Sequence, residues 1–297
     1  MIVVSNSFIP RLRGKKSKKK DQNVIAETEA GDVATYVTHA PKKHSTFMSD
    51  DDSDDSDDDS DEEEDYSFTG ETFDRPKQSL TGADWRPKFN DRMTMFIAGT
   101  PGAGKSYLAK QMINLLPKDL PILLFTALEE NDGNFDDLGK DRIFKVKMKP
   151  EVLSKISLSE IRERSKSPQV ILLFDDVDKI RDRKVQNLTF AIMNDALANG
   201  RGHEKHDGKG DLHVICTSHS ANDYQKTKYT FENSNYVALF PGTTPPLQMH
   251  RMFDKLGLDK DLCQDLIKMA RMQKIRSIII HKVVPMYMIF GNRIMLL

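Results

Sequence analysis

The chain is 297 residues long, which allows one or two ordinary domains with a buried core. Its formal net charge of −1 conceals an asymmetry, because residues 1–85 hold 20 acidic and 11 basic residues while residues 86–297 carry a net charge of +8. The two cysteines form no metal-binding or redox motif, which argues against a disulfide scaffold and favours a reducing compartment. No secretion signal is readable and no apolar run approaches the ~20 residues that span a bilayer, so we expect an intracellular protein without membrane contact.

Residues 1–85 are predicted to form a disordered tail, and residues 86–297 a folded domain. A basic run from Arg11 to Lys20 can serve as a nuclear address or a phosphate-binding arm. The segment Ser49–Asp65 consists of aspartate, glutamate and serine, so it repels itself and offers no apolar surface to offset the entropy cost of ordering. This acidic run can be a solvated tail, a docking segment for a capsid or other protein, or a nucleic-acid mimic that folds back on the basic body.

After the tail, short apolar runs alternate with amphipathic stretches. The runs predicted as buried strands are Met95–Ala98, Ile122–Thr126, Ile143–Val146, Val170–Phe174, Leu212–Thr217 and Tyr236–Phe240. Ser106–Leu116 and Val185–Ala198 are predicted as helices. Such alternation predicts an α/β fold with a mostly parallel sheet covered by helices on both faces. The end of the chain, with a Gly291-Asn292 turn, is predicted to form a C-terminal β-hairpin.

The first predicted strand leads directly into a glycine-rich segment with the full Walker A pattern, which predicts a P-loop NTPase. The residues predicted to bind ATP are Gly99, Thr100, Pro101, Gly102, Ala103, Gly104, Lys105, Ser106 and Tyr107. Glycines allow the backbone amides to curl around a phosphate, and the N-terminus of the following helix favours the same anion. Lys105 is expected to reach the β- and γ-phosphates, and the Ser106 hydroxyl to ligate Mg²⁺.

The strand Val170–Phe174 ends in two adjacent carboxylates, Asp175 and Asp176. Two acids at the end of a buried strand are costly unless a cation compensates them. Asp175 is therefore expected to hold Mg²⁺ through water, and Asp176 to orient and deprotonate the attacking water. Asp178 is expected to face solvent or to cap a turn. The pattern predicts that the protein hydrolyses ATP.

A carboxylate at position 176 is typical of NTPases that activate water and that insert an extra strand between the phosphate-loop strand and the acidic strand. Leu212–Thr217 is predicted as that central strand. The end of this strand, Thr217-Ser218-His219-Ser220, would then lie beside the γ-phosphate, where it could sense hydrolysis. Ser218 or His219 is the expected polar contact. His219 can equally be an ordinary polar loop residue.

Several segments follow the phosphate loop in a distinctive order, namely Leu173–Asp178, Asn199–His203 and Val214–Ser220. Together they resemble the genome-packaging ATPases of poxviruses and other nucleocytoplasmic large DNA viruses, within the FtsK–HerA class. The resemblance covers residues 93–297, and the Gly-Arg-x-His step in Asn199–His203 is its more specific part. The chain departs from the class pattern at Ser218-His219, where the class usually has Gln, and at Asp176, where it often has Glu.

The resemblance implies a homo-oligomeric, ring-forming motor that pushes double-stranded DNA at the expense of ATP. It also implies that Arg201 or Arg276 is a finger that reaches the γ-phosphate of a neighbouring subunit, although each can instead form a surface ion pair. The charge of residues 86–297 independently favours a polyanion bound without sequence preference. Candidate phosphate contacts are Lys205, Lys209, Lys226, Lys228, Lys268, Arg271, Lys274 and Arg276. The implied location is the host cytoplasm or the virion, with the nucleus as an alternative.

Two other functions remain open at this point. An ATP-dependent switch or adaptor would bind a protein partner and never move DNA. A nucleoside or small-molecule kinase would transfer phosphate to an acceptor, and the acid at position 176 argues against it.

Overall fold

The structure is a computed structural model. It describes residues 92–127, 134–165, 167, 169–202, 211–219, 224–272, 274–283, 286–290 and 293–297, together with short strands before residue 92. The acidic run Ser49–Asp65 lies outside the described residues. Among the helices of the described part, none combines the length and apolar character needed to cross a bilayer.

Short strands occur within and just after the predicted tail. They are β1 (Arg11–Lys16), β2 (Val24–Glu27), β3 (Asp32–Val37), β4 (Ser79–Thr81) and β5 (Arg86–Pro87). Four of them form an antiparallel sheet in the order β1-β3-β2-β5. The sequence did not predict these strands, because β1 is mostly basic and short polar strands lack the apolar alternation that signals a buried face.

The principal sheet has ten strands in the order β4-β14-β13-β12-β11-β6-β10-β9-β7-β8. Its remaining strands are β6 (Thr94–Ala98), β7 (Ile122–Thr126), β8 (Ile143–Lys145), β9 (Val170–Asp175), β10 (Leu212–Ser218), β11 (Tyr236–Leu239), β12 (Ile278–His281), β13 (Tyr287–Phe290) and β14 (Arg293–Leu296). Parallel pairing joins six strands that are neighbours in the sheet, in the order β8, β7, β9, β10, β6 and β11. Antiparallel pairing adds β12, β13, β14 and β4 after β11. The predicted parallel sheet and C-terminal hairpin are confirmed, and β4 joins this sheet from before the predicted domain boundary at residue 86.

The predicted central strand is also confirmed. β10 lies between β6 and β9, so that Cys216 pairs with Phe96 on one side and with Phe174 on the other. All three strands run in parallel, and their carboxyl ends meet at one edge of the sheet. This edge carries both the phosphate loop and the two adjacent acids, although the loop and the acids lie far apart in the sequence.

Helices cover both faces of the sheet, as predicted. The described helices are α1 (Lys105–Ile113), α2 (Pro150–Leu153), α3 (Leu158–Ser165), α4 (Arg183–Asn199), α5 (Tyr224–Asn233), α6 (Pro246–Lys255) and α7 (Lys260–Met272). β6 shows the two-residue alternation of a strand buried on both faces. Met95 and Ile97 pack with α1 residues in one apolar cluster, whereas Phe96 and Ala98 belong to the cluster that contains α4 residues.

A buried arginine joins the start of the sheet to the end of α4. Arg92 is 8 % exposed, and its Nε donates to the carbonyl of Leu212 at 2.7 Å. Its Nη1 donates to Leu197 O at 3.2 Å and its Nη2 to Ala196 O, so the guanidinium satisfies carbonyls at the C-terminus of α4. Burial lowers the pKa of Arg92 to about 10, which leaves it charged at neutral pH. A Cβ on Gly200 would overlap the backbone oxygen of Ala196 and lie 2.7 Å from Nη2, which requires glycine at that position.

His213 is buried next to this arginine. Its Nδ1 accepts a hydrogen bond from Met93 N at 3.1 Å, and burial lowers the pKa of His213 to about 4. The neutral imidazole is therefore the folded form at pH 7. Because the unfolded chain takes up this proton near pH 6.5, the stability that the neutral ring contributes is present above pH 6.5 and is lost as pH falls towards 4.

Replacing His213 by Asn should make the protein less sensitive to acid. An asparagine oxygen can accept from Met93 N but does not titrate. Between pH 7 and pH 5 we expect wild type to lose about 2 kcal/mol more free energy of unfolding than His213→Asn. Urea unfolding at several pH values measures this difference, and parallel curves for the two proteins would contradict the assignment.

Candidate active site

The phosphate loop is a tight, glycine-dependent turn between β6 and α1. Gly102 and Gly104 have φ angles of 76° and 101°, a region that favours glycine. Gly99 N donates to Ser218 O at 3.1 Å, and Ala103 N donates to Thr100 O at 3.2 Å. The loop is thereby fixed to the end of β10 and opens onto the N-terminus of α1, as an anion site requires.

Lys105 is buried at the start of α1 and lies between the phosphate loop and the acids. Its Nζ is 3.5 Å from Thr100 O, 3.7 Å from Asp176 Oδ1 and 3.5 Å from His219 Nδ1. The fold therefore brings together three of the residues that the sequence predicted as catalytic, from α1, the end of β9 and the end of β10. Ser106, the next residue of α1, is half-buried.

The carboxylate of Asp176 is held on both sides. Its Oδ2 lies 2.8 Å from His219 Nε2, and Lys105 approaches its Oδ1. Since Nε2 faces a carboxylate and Nδ1 faces an ammonium group, a neutral imidazole with its proton on Nε2 fits both contacts. Asp176 has φ 49° and ψ 35°, a left-handed conformation that Asp and Asn adopt more readily than other residues. This backbone favours Asp over the longer Glu at this position.

Thr217 was expected beside the γ-phosphate, but its contact with the two acids was not predicted. Its Oγ1 lies 2.8 Å from Asp175 Oδ1 and 3.1 Å from Asp176 Oδ1, and it accepts a hydrogen bond from Asp176 N at 2.9 Å. The single hydroxyl proton can donate to one carboxylate at a time. A signal was present in the sequence, because a hydroxyl residue near the end of the central strand lies beside the end of the acidic strand in a parallel sheet.

Asp178 was expected to face solvent or to cap a turn, and the solvent-facing alternative is wrong. Its Oδ2 accepts from Ser218 Oγ and from His219 N, both at 3.3 Å. Its Oδ1 is buried and has no hydrogen-bond partner among the described residues. Asp178 thus caps the end of β10, and the Ser218 hydroxyl points to this carboxylate.

Thr217→Val should lower kcat at saturating ATP by roughly 10-fold or more, while Thr217→Ser should stay near wild type. Valine has the same shape but removes the acceptor of Asp176 N and the hydroxyl that donates to the buried Asp175. Serine keeps the hydroxyl. Steady-state turnover, together with unfolding midpoints for both variants, tests this; equal kcat for Val and Ser would show that the hydroxyl does not position the acids.

The two candidate arginines lie at opposite ends of the parallel strands, Arg201 at the amino ends and Arg276 at the carboxyl ends. Arg201 is exposed and follows Gly200, whose carbonyl accepts from Leu212 N at 2.8 Å at the start of β10. This is about 20 Å, the length of a seven-residue strand, from the phosphate-loop edge. Arg276 is exposed and precedes Ile278, which pairs with the end of β11. It therefore lies at the same edge as the phosphate loop.

The other predicted contacts have varied positions. Tyr107 is exposed, and its hydroxyl accepts from Gln111 Nε2 at 3.3 Å. Lys228 pairs with Glu232 at 3.8 Å, and Arg271 donates to Pro241 O and Thr244 O at 3.1 Å. Lys268, Lys274 and Arg276 are exposed, whereas Lys205, Lys209 and the side chain of Lys226 lie outside the described residues.

Comparison with known proteins finds a family model that matches part of the chain, and a viral relative. Residues 95–232 match the model of the ATPase family associated with various cellular activities (AAA). The chain is 25% identical over 236 residues to the uncharacterized protein V3 of Sputnik virophage, an alignment that covers 76% of this chain and 87% of the relative.

Among solved structures, the chain is similar to the genome packaging NTPase B204 of Sulfolobus turreted icosahedral virus 2 in complex with AMPPCP. The two share 12% sequence identity with a TM-score of 0.41, and the alignment covers 67% of this chain and 97% of that one. It is also similar to the cytoplasmic domain of the type VII secretion ATPase EccC of Thermomonospora curvata, with 14% identity, coverage of 68% and 25%, and a TM-score of 0.36. The phosphate loop and the match of residues 95–232 to this family model together support the conclusion that the chain is an ATP-binding P-loop ATPase.

Proposed function

We propose that this chain is an ATP-driven motor that moves double-stranded DNA during viral genome packaging and acts as a homo-oligomer. The observation that carries the proposal is the position of the Asp176 carboxylate, which follows β9 and lies between Lys105 and His219. His219 follows the inserted strand β10. An acid in this position serves to activate water, which a phosphate-transferring kinase must avoid. The order of the motifs supports a packaging role, and the virophage relative supports a viral setting.

The residues around the phosphate loop have distinct tasks in this proposal. Amides of residues 99–106 hold the phosphates, and Lys105 places its charge against the β- and γ-phosphate oxygens. Asp176 accepts a proton from the attacking water on one of its carboxylate oxygens.

Ser218 and His219 are proposed to report whether the γ-phosphate is present. The imidazole of His219 contacts Lys105 and Asp176 together, so any change in the position of Lys105 alters the environment of the ring. Its backbone N donates to Asp178, and Ser218 O accepts from Gly99 N. These contacts link the phosphate loop, the turn of residues 176–179 (here called the acid turn) and the end of β10 in one hydrogen-bonded unit.

The donor set suits Mg²⁺. Asp175 is 2 % exposed and stands next to a second carboxylate, an arrangement that a divalent cation stabilises. Mg²⁺ in nucleotide sites takes few protein ligands and completes its shell with phosphate oxygens and water, so Ser106 and Asp175 would be sufficient. When bound, the metal neutralises negative charge on the phosphates.

A neighbouring subunit is proposed to complete the site. Either Arg276, on the phosphate-loop edge, or Arg201, on the opposite edge, would supply a guanidinium to the next subunit in a ring. Such an arginine neutralises charge that develops in the transition state. The proposed location is the host cytoplasm or the virion, with the nucleus as an alternative, and the acidic run is proposed to contact a capsid or other protein.

DNA should stimulate ATP hydrolysis by the full chain. We expect long linear duplex DNA to raise steady-state turnover several-fold at low salt, and Lys105→Ala to abolish turnover with and without DNA. Lys110→Ala is the matched control, because Lys110 lies on the same helix but pairs with the exposed Asp137 at 2.9 Å. Turnover that is indifferent to DNA at low salt would contradict the motor and favour an ATP-dependent switch.

A further inference from the structure

Seven exposed cationic side chains lie on two segments near the acid turn. Residues 145–149 begin at the end of β8, and residues 179–184 connect the acid turn to α4. The side chains are Lys145, Lys147, Lys149, Lys179, Arg181, Arg183 and Lys184, here called the basic surface. The carboxylates nearest to them in the sequence are Glu151, Asp176, Asp178 and Asp182. Asp176 is in contact with Lys105 and His219, and Asp178 accepts from Ser218 and His219.

The first segment continues from β8 and then turns, with its three lysines exposed. Val146 N donates to Leu124 O at 2.9 Å, which continues the pairing with β7. Val146 and Met148 pack against the apolar cluster, so the alternating lysines face outward. Lys149 N donates to Lys147 O at 2.8 Å, so the chain turns at this point and the three lysines lie close together.

The second segment begins inside the turn that carries the proposed base. Lys179 N donates to Asp176 O at 2.9 Å, and Ile180 packs against the same apolar cluster. Asp182 Oδ1 accepts from Lys184 N and Val185 N at 2.8 and 3.0 Å, so this carboxylate caps α4. Its charge is engaged with the helix N-terminus, and the neighbouring cations extend beyond it.

The topology places both segments at one edge of the sheet. β8 and β9 flank β7 in parallel, so their carboxyl ends lie about 10 Å apart, two strand spacings. α2, which follows the first segment, packs against α4, which follows the second. Cations from two distant parts of the sequence therefore gather next to the hydrolysis site.

We infer that the basic surface holds the phosphate backbone of double-stranded DNA, an inference that rests on the proposed function. Rows of exposed lysine and arginine with few carboxylates bind a polyanion without reading its sequence. This surface is separate from Lys268 and Lys274, which the sequence alone suggested. Because residues 179–184 continue directly from Asp176, a change at the proposed base passes through a few residues of backbone to the DNA-holding segment.

The test compares two triple variants of the full chain that remove the same charge. Lys147→Gln/Lys149→Gln/Arg183→Gln alters the basic surface, and Lys118→Gln/Lys260→Gln/Arg251→Gln alters exposed cations elsewhere. Fluorescence anisotropy with a labelled 60-bp duplex of mixed sequence gives affinity over a range of salt concentrations. Unfolding midpoints establish that both variants keep the fold.

The basic-surface variant should lose at least about 30-fold in DNA affinity at 0.1 M salt, and its slope of log K against log salt should fall by about 2 to 3. The control variant should stay within about threefold of wild type. Equal losses in both variants would overturn the inference. Tighter DNA binding by the basic-surface variant would also overturn it, because that result indicates an acidic polypeptide, such as the chain's own Ser49–Asp65, as the occupant. Wild type that binds no duplex would instead contradict the proposed function itself.

Discussion

Asp176→Asn is expected to lower kcat for ATP hydrolysis by about 10²- to 10⁴-fold while ATP binding stays within about threefold of wild type. Asparagine fits the left-handed backbone at this position and retains an oxygen for the contact with Thr217, but its amide cannot accept the proton from water. The change therefore isolates the chemical step from folding and from nucleotide binding.

Steady-state turnover and equilibrium binding of a fluorescent ATP analogue provide the two readouts. Asp176→Glu is the informative companion, because it keeps the carboxylate but is less suited to a φ of 49°. Its kcat should fall between those of wild type and Asp176→Asn. If Asp176→Asn retained more than half of wild-type turnover, Asp176 would not be the base, and another group would have to take the proton.

The second large effect is on stability. Arg92→Met is expected to lower the free energy of unfolding by about 3–5 kcal/mol, because it removes the guanidinium that donates to the carbonyls of Leu212, Leu197 and Ala196 in a buried setting. Of these, Ala196 O keeps a hydrogen bond from Gly200 N at 3.0 Å. Methionine fills much of the volume of the aliphatic stem, so lost hydrogen bonds, more than an empty cavity, account for the loss. Urea unfolding at pH 7 measures it.

Arg164→Met is the matched control. Arg164 is largely exposed and contacts Glu160 one helical turn away, and surface pairs of this kind contribute about 0–1 kcal/mol. Equal losses for the two variants would indicate that Arg92 acts as an ordinary surface cation and that α4 is secured by apolar packing alone.

Much of the fold could be predicted because its strands are continuous apolar runs and its phosphate loop has a fixed spacing. The insertion of Leu212–Ser218 between the phosphate-loop strand and the acidic strand followed from the carboxylate at position 176. Periodicity within each segment is local information, and it was sufficient for these elements. β4 escaped because it has three residues and pairs with β14 far away in the sequence, and β1 escaped because it is mostly basic.

The site was only partly predictable for a related reason. Lys105, Asp176 and His219 converge as expected at the ends of neighbouring parallel strands. The contact of Thr217 with both acids depends on the register between β9 and β10, which the sequence does not reveal. Gly200 stands in the motif that carried the family resemblance, and the structure explains it through its close approach to Arg92 at the end of α4.

The central claim, that ATP hydrolysis moves the protein along double-stranded DNA, is tested most directly by displacement of a third strand from a duplex. The full chain, ATP and Mg²⁺ are mixed with a long duplex that carries a labelled triplex-forming strand at one end. We expect release of that strand at a rate that depends on ATP and on duplex length, with no release by Asp176→Asn. Robust ATP hydrolysis without any strand release would contradict the motor and indicate that this ATPase performs a different task.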